Sequence, residues 1–183
     1  GGGLYNDSGN LSLSDCTFQN NLSQQISTWS LGGGGMYNLS ADPLLENCQF
    51  RNNRAGMAGG LHNEKSSPML IDCRFEGNEL IELPNGGHTF WQGGAGLCNS
   101  LSDSSPMILN CVFANNQGVY GGGIYNQDGA SPILTNCLFV GNRVVGGGAG
   151  GGMESWASRP TVINCTFTEN SAVSTGGGLD SAG

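Results

Sequence analysis

Seven cysteines, three tryptophans and a scatter of carboxylates are the side chains of this sequence best equipped for chemistry. Six of the cysteines, Cys16, Cys48, Cys73, Cys111, Cys137 and Cys165, stand in one recurring phrase: aliphatic-x-[Asn/Asp]-Cys-x-Phe-x-x-Asn. Thiols at equivalent positions of stacked repeats lie about 4.8 Å apart and point in parallel. A disulfide needs Cβ atoms ~3.5–4.5 Å apart with suitable torsions, so these are read as small buried thiols packing a core. Cys98 stands where other repeats carry Tyr5, Tyr37 and Tyr125, and is also expected as a free thiol in the stack. No Cys-x-x-Cys, His-Glu-x-x-His or calcium-loop pattern is present, so no metal and no cofactor is assigned. Gly146, Gly148 and Gly151 satisfy G-x-G-x-x-G, but no helix follows to receive a phosphate.

Cleaving a polysaccharide needs paired carboxylates, or a base with cationic partners, on one outward face. The residues between each Cys and its Phe are Thr17, Gln49, Arg74, Val112, Leu138 and Thr166, which offer no acid pair. Glu76, Glu79 and Glu82 lie near His88 in sequence and read as solvated charges in or beside a loop. No catalytic residue is therefore assigned, and the chain is expected not to be an enzyme. The candidate ligand-binding or partner-binding residues are Trp29, Trp91, Phe90 and His88. They sit in two insertions, residues 22–31 and 79–92, which leave the repeat at the same corner two repeats apart. Large insertions of a repeat protein often form its binding face. These aromatics either stack on a sugar ring or partner, or fold back on the rod. Trp156 belongs to a different corner.

The elements that position these residues follow from the period. Successive phrase cysteines are 32, 25, 38, 26 and 28 residues apart, the signature of a solenoid. Each repeat opens on a glycine run and an aliphatic residue: Leu4, Met36, Leu61, Leu97, Ile124, Met153 and Leu179. A second piece starts at Pro43, Pro68, Pro106, Pro132 or Pro160, each five residues before its cysteine. A proline tolerated at every repeat must open a strand, because it cannot donate to a ladder. The third piece is Cys-x-Phe, whose alternation puts Cys and Phe on one face. No amphipathic helical stretch occurs. Three short strands per rung, wound in parallel, predict an all-β, right-handed parallel β-helix of about six rungs. The chain reads as one domain, residues 1–183. Its rungs run roughly over 1–31, 32–58, 59–92, 93–120, 121–150 and 151–175, with a partial seventh over 176–183.

Stacking then predicts structural ladders. One is aromatic: Phe18, Phe50, Phe75, Phe113, Phe139 and Phe167. Another is made of the turn asparagines Asn21, Asn53, Asn78, Asn116, Asn142 and Asn170, expected to supply left-handed backbone and axial amide bonds. Asp15, Asn47, Asp72, Asn110, Asn136 and Asn164 form a second such row.

Phe-x-x-Asn paired with Gly-Gly-x-[Leu/Ile] resembles the repeats of chlamydial polymorphic outer-membrane proteins, and the wider class of secreted bacterial β-helices. The resemblance covers essentially the whole chain. It implies a secreted or surface-exposed β-helix, often adhesive, with a host or cell-surface partner, and no catalytic residue. No membrane-barrel segment is present, so membrane attachment does not carry over.

Between proline and cysteine both alternating faces are apolar. One holds Leu44, Met69, Ile71, Met107, Leu109, Ile133 and Ile163; the other holds Leu45, Leu70, Ile108, Leu134 and Val162. Only one can point inward, so an apolar row must lie outside, where strands apolar on both faces are normally covered. With Val112 and Leu138, the residues Met69, Ile71, Met107, Leu109 and Ile133 are the candidate self-association surface, giving a homo-oligomer or fibre. Gly176–Leu179 restarts the glycine motif of Gly1–Leu4. Either copies stack head to tail on unpaired strand edges, or the chain is a piece of a longer β-helix. The net charge is −8 and Lys65 is the only lysine, which argues against nucleic acid. No apolar run reaches membrane-spanning length. The expected location is extracellular or the cell surface.

Overall fold

The computed structural model describes residues 1–24, 32–81 and 93–183. The chain winds as a parallel β-solenoid of about six turns, with no helix among the described residues. Sheet A has seven strands: Leu4–Asp7, Met36–Leu39, Leu61–Glu64, Leu97–Ser100, Ile124–Gln127, Met153–Trp156 and Leu179–Ala182. Sheet B has six: Ser12–Ser14, Leu44–Glu46, Met69–Ile71, Met107–Leu109, Ile133–Thr135 and Thr161–Ile163. Sheet C has six: Thr17–Gln19, Gln49–Arg51, Arg74–Glu76, Val112–Ala114, Leu138–Val140 and Thr166–Thr168. A fourth, sheet D, is built of two-residue strands directly after the turn asparagines: Leu22–Ser23, Arg54–Ala55, Glu79–Leu80, Gln117–Gly118 and Arg143–Val144. The two insertions therefore start two residues later than the sequence suggests, because their first residues still pair.

Every strand pairs with its equivalent one rung on, in register, so like residues stack on like. Period-two alternation then fixes what is inside. Leu45, Leu70, Ile108 and Leu134 of sheet B are buried, as are Cys48, Cys73, Cys111 and Cys137 beside Phe50, Phe75, Phe113 and Phe139 of sheet C. The six phenylalanine rings form one file with centroids 4.5–4.9 Å apart and planes within 10°. Exposure grows at the two end rungs, where Phe18 and Phe167 are only half-buried.

The asparagine row is a fully engaged ladder. Each Nδ2 donates to the Oδ1 of the next rung, from Asn21 to Asn53 (2.9 Å) through Asn142 to Asn170 (2.9 Å). The same Oδ1 accepts the backbone N–H of the preceding rung's asparagine. From Asn53 onward, each Nδ2 also donates to the phenylalanine carbonyl one rung back. These residues are not the left-handed ones, which corrects the sequence expectation. The left-handed residue is the one before: Asn20, Asn52, Gly77, Asn115, Gly141 and Glu169, with φ between 51° and 64°. The turn thus needs two adjacent residues, one to reverse the backbone and one to carry the inward amide. The row of Asp15, Asn47, Asp72, Asn110, Asn136 and Asn164 is left-handed, with φ of 49–56°, and exposed.

Sheet A carries an inward amide ladder that the sequence reading overlooked. Asn6, Asn38, Asn63, Asn99 and Asn126 are buried, each bonding the next at 2.9–3.2 Å, and Asn126 donates to Ser155 Oγ. The signal was the asparagine recurring at the second residue after the aliphatic position in five of the seven glycine-led pieces, with Ser155 and Ser181 in the last two. The glycine runs lead each rung into sheet A against its neighbour's backbone: a Cβ on Gly34 would lie 2.4 Å from the Gly59 carbonyl oxygen.

Candidate functional site

The inward side chains complete the core, so any function must use the outer faces of the four sheets. Sheet B settles the parity question. The row Met69, Met107 and Ile133 faces out, and these residues are 39%, 39% and 41% exposed. Ile71 and Leu109 stack beside them, half-buried, and Ile163 extends the stripe at 49% exposure. Around the corner, Val112 and Leu138 pair on the outside of sheet C, both half-buried. Five of the seven candidate association residues thus share the outer face of sheet B, and the other two, Val112 and Leu138, lie on sheet C beyond the exposed Asp72, Asn110 and Asn136 corner. No charged residue interrupts sheet B's outer face from Met69 to Thr135; Glu46 flanks it one rung earlier.

Sheet A presents a different outer face. Tyr37, His62, Cys98, Tyr125, Glu154 and Asp180 stack in register, and the middle of this row is covered. His62 is 1% exposed and Cys98 is fully buried, packed with Met57, Ala58 and Tyr125. The Tyr37 and His62 rings stack at 4.9 Å, and Tyr37 Oη donates to Glu64 Oε2 at 2.6 Å. His62 Nε2 lies 3.0 Å from Ser100 Oγ, while Nδ1 has no hydrogen-bond partner. Burial, and secondarily the N-terminal ammonium, pushes the imidazole down to about 3, so it stays neutral. Burial pushes the Cys98 thiol up. The thiol and the imidazole thus lie side by side as uncharged groups in the covered row. Further along, burial and then the Asp180 carboxylate raise Glu154 to about 7, against the opposing backbone bonds from Gly121 and Ala149.

The six ladder cysteines are free, as is Cys98. In the middle rungs each Sγ lies 3.2–3.4 Å from the carbonyl two residues back and 3.4–3.7 Å from one on the preceding rung. Burial raises Cys48 to about 11 and Cys137 to about 12. A thiol contact with Cys73, then burial, raises Cys111, and the same contact draws Cys73 down.

Sheet D forms the remaining face. Arg54, Glu79, Gln117 and Arg143 stack rung on rung, with Arg54 Nε 3.1 Å from Glu79 Oε2. Arg54, Glu79 and Gln117 border a groove of about 290 Å³ with Leu80 and Val119 in its lining. Glu76 and Glu79 are strand residues rather than loop charges. Glu76 bonds the Arg74 guanidinium and lies 3.5 Å from Arg51 Nε; the Arg74 bond holds its carboxyl below the usual range. Both insertions leave the rod from sheet D, after Leu22–Ser23 and Glu79–Leu80, with Arg54–Ala55 between them. Trp29, His88, Phe90, Trp91 and Glu82 lie outside the described residues. Among the described residues no three His, Cys, Asp or Glu side chains converge as a metal site, and no helix is long and apolar enough to cross a membrane.

With in-register parallel rungs on all four sheets, one comparison is decisive: the family described as right-handed β-helix region matches residues 1–181. The chain belongs to the right-handed β-helix family. No curated protein and no solved structure matches it. Membership of the right-handed β-helix family fits a structural or polysaccharide-related role, and the outer faces must be weighed between these two.

Proposed function

We propose that this β-helix is a secreted or cell-surface structural protein with an adhesive role, and that it works by associating with copies of itself into a fibre or surface layer. The observation that carries this reading is the stripe of Met69, Met107 and Ile133. It stands out from sheet B with no charge among it, flanked by Ile71 and Leu109. A contiguous exposed apolar patch of this kind marks an interface. Side-by-side packing covers it directly. Electron microscopy over a concentration series, beside the solution mass, tests the reading. Filaments, sheets or a mass rising with concentration support it; a monomer at every concentration refutes it.

A second reading has its own observation. The sheet D groove lies beside the exit points of the two tryptophan-bearing insertions, and its polar row of Arg54, Glu79 and Gln117 over Leu80 and Val119 suits a sugar chain. On this reading the β-helix binds or cleaves a polysaccharide. A screen of soluble polysaccharides separates the cases: turnover points to an enzyme, and Trp91-dependent binding without turnover points to a glycan-binding adhesin.

A further inference from the structure

Resting on the self-association reading, the geometry points to one particular pair: two rods packed face to face through sheet B, antiparallel, about a two-fold axis at Met107. Two identical sheets can face each other about a two-fold axis along the rods or across them. An axis along the rods sets each rung against its own number, with the proline edge of one sheet against the corner edge of the other. Asp42, just before Pro43, then meets the side bearing Glu46 of the same rung, and two acids oppose each other. Both are exposed.

An axis across the rods at the fourth rung does the reverse. The second rung then faces the sixth, and like edges meet. Asp42 and Arg159 occupy the same position, immediately before the prolines Pro43 and Pro160, on the second and sixth rungs. Both are exposed, and this arrangement sets each against the other twice, once at each end of the pair. Asp72 on the third rung faces the neutral Asn136 of the fifth. The apolar residues obey the same symmetry: Met107 meets Met107, Leu109 meets Leu109, and Met69 meets Ile133. Glu46 lies opposite Ile163, away from any acid. Asp103, on the fourth-rung turn, is an acid set near its own symmetry mate, and Asp103→Asn is expected to tighten the pair.

The size of the face sets the strength. Rungs two to six oppose each other, so five rungs at ~4.8 Å and three residues at ~3.3 Å make the shared face roughly 24 by 10 Å. That is roughly 500 Å² for the two copies together, well below the ~1,200 Å² at which standard interfaces begin, so the pair is weak and concentration-dependent. The chain's charge of −8 opposes association at long range, so moderate salt favours the approach, while the two Asp42–Arg159 contacts select the orientation.

Sedimentation equilibrium of the full chain and its outward-facing variants tests this, with circular dichroism checking that each variant folds. Wild type is expected to dimerise reversibly. Asp42→Arg and Arg159→Asp should each weaken the dimer several-fold, and the double variant D42R/R159D should restore most of the loss. Met107→Cys should cross-link to itself under mild oxidation, since the axis passes beside it. A dimer indifferent to both single reversals, or a double variant no better than the singles, overturns the antiparallel pair while leaving self-association standing. A wild-type chain that stays monomeric removes both.

Discussion

Phe113 shows what a single side chain contributes to this rod. It is fully buried and stacked on both sides, by Phe75 at 4.9 Å and Phe139 at 4.9 Å. Phe113→Ala should cost ~3–5 kcal/mol in urea unfolding, as a core deletion. Phe18→Ala, at a half-buried end of the file with one ring neighbour, should cost clearly less; equal costs would contradict the one-dimensional stacking. Two titrating residues on sheet A pull stability in opposite directions. Glu154 has a folded pKa of about 7 against an ordinary 4.5, so between those values the folded chain keeps a proton that the unfolded chain has lost. Its contribution is present below about 4.5 and is lost as pH rises to about 7. His62 is the opposite case: lowered from 6.5 to about 3, it destabilises the fold progressively as pH falls through that window. Thermal unfolding at pH 5 and pH 8 should show Glu154→Gln flattening the neutral decline; an unchanged slope would remove Glu154 as its cause.

The strands and ladders divide into what the residues announced and what only stacking reveals. The three-strand rung, the phenylalanine file and the inward cysteines follow from period-two alternation and the proline position, both visible in sequence. The left-handed turn residue was misplaced by one because asparagines are adjacent there in half the rungs, as in Asn20–Asn21 and Asn52–Asn53. Only Gly77 and Gly141 betray that the reversing position tolerates glycine while the inward one does not. The sheet A amide ladder was missed because its asparagines follow an aliphatic residue and a variable one (Tyr5, Tyr37, His62, Cys98 or Tyr125), and read as strand ends rather than as core. Sheet D is two residues long per rung, too short for alternation to register. Ladder asparagines are expected to be structural at every rung. Asn116→Ala leaves the buried Asn78 backbone N–H without its acceptor and removes one bond each from Asn78 Nδ2 and Asn142 Oδ1, which keep their bonds to the Phe50 carbonyl and the Asn116 N–H; it should cost ~1–3 kcal/mol in urea unfolding. A loss near zero would show that the ladder is ornamental to stability.

At the scale of the molecule, four faces of one rod carry four different surfaces. Sheet A is covered and neutral in its middle rungs, sheet D is polar and grooved, sheet C mixes arginine–glutamate pairs with valine and leucine, and sheet B is bare and apolar. The sequence foretold that an apolar row must lie outside, since both parities of the strand were apolar; it took register to show that the row is Met69, Met107 and Ile133. Insertion aromatics were legible as types, but their role depends on loop placement, which no periodicity encodes. The account stands or falls on whether sheet B meets another copy. Its most direct test is the weight-average mass of the purified chain measured over a hundredfold concentration range, beside Met107→Asp. The account predicts a mass climbing above the 18.9 kDa monomer for the wild type and a flat monomer mass for a folded Met107→Asp chain. A wild-type mass that stays at the monomer value throughout, or a variant that climbs with it, would contradict the sheet B interface.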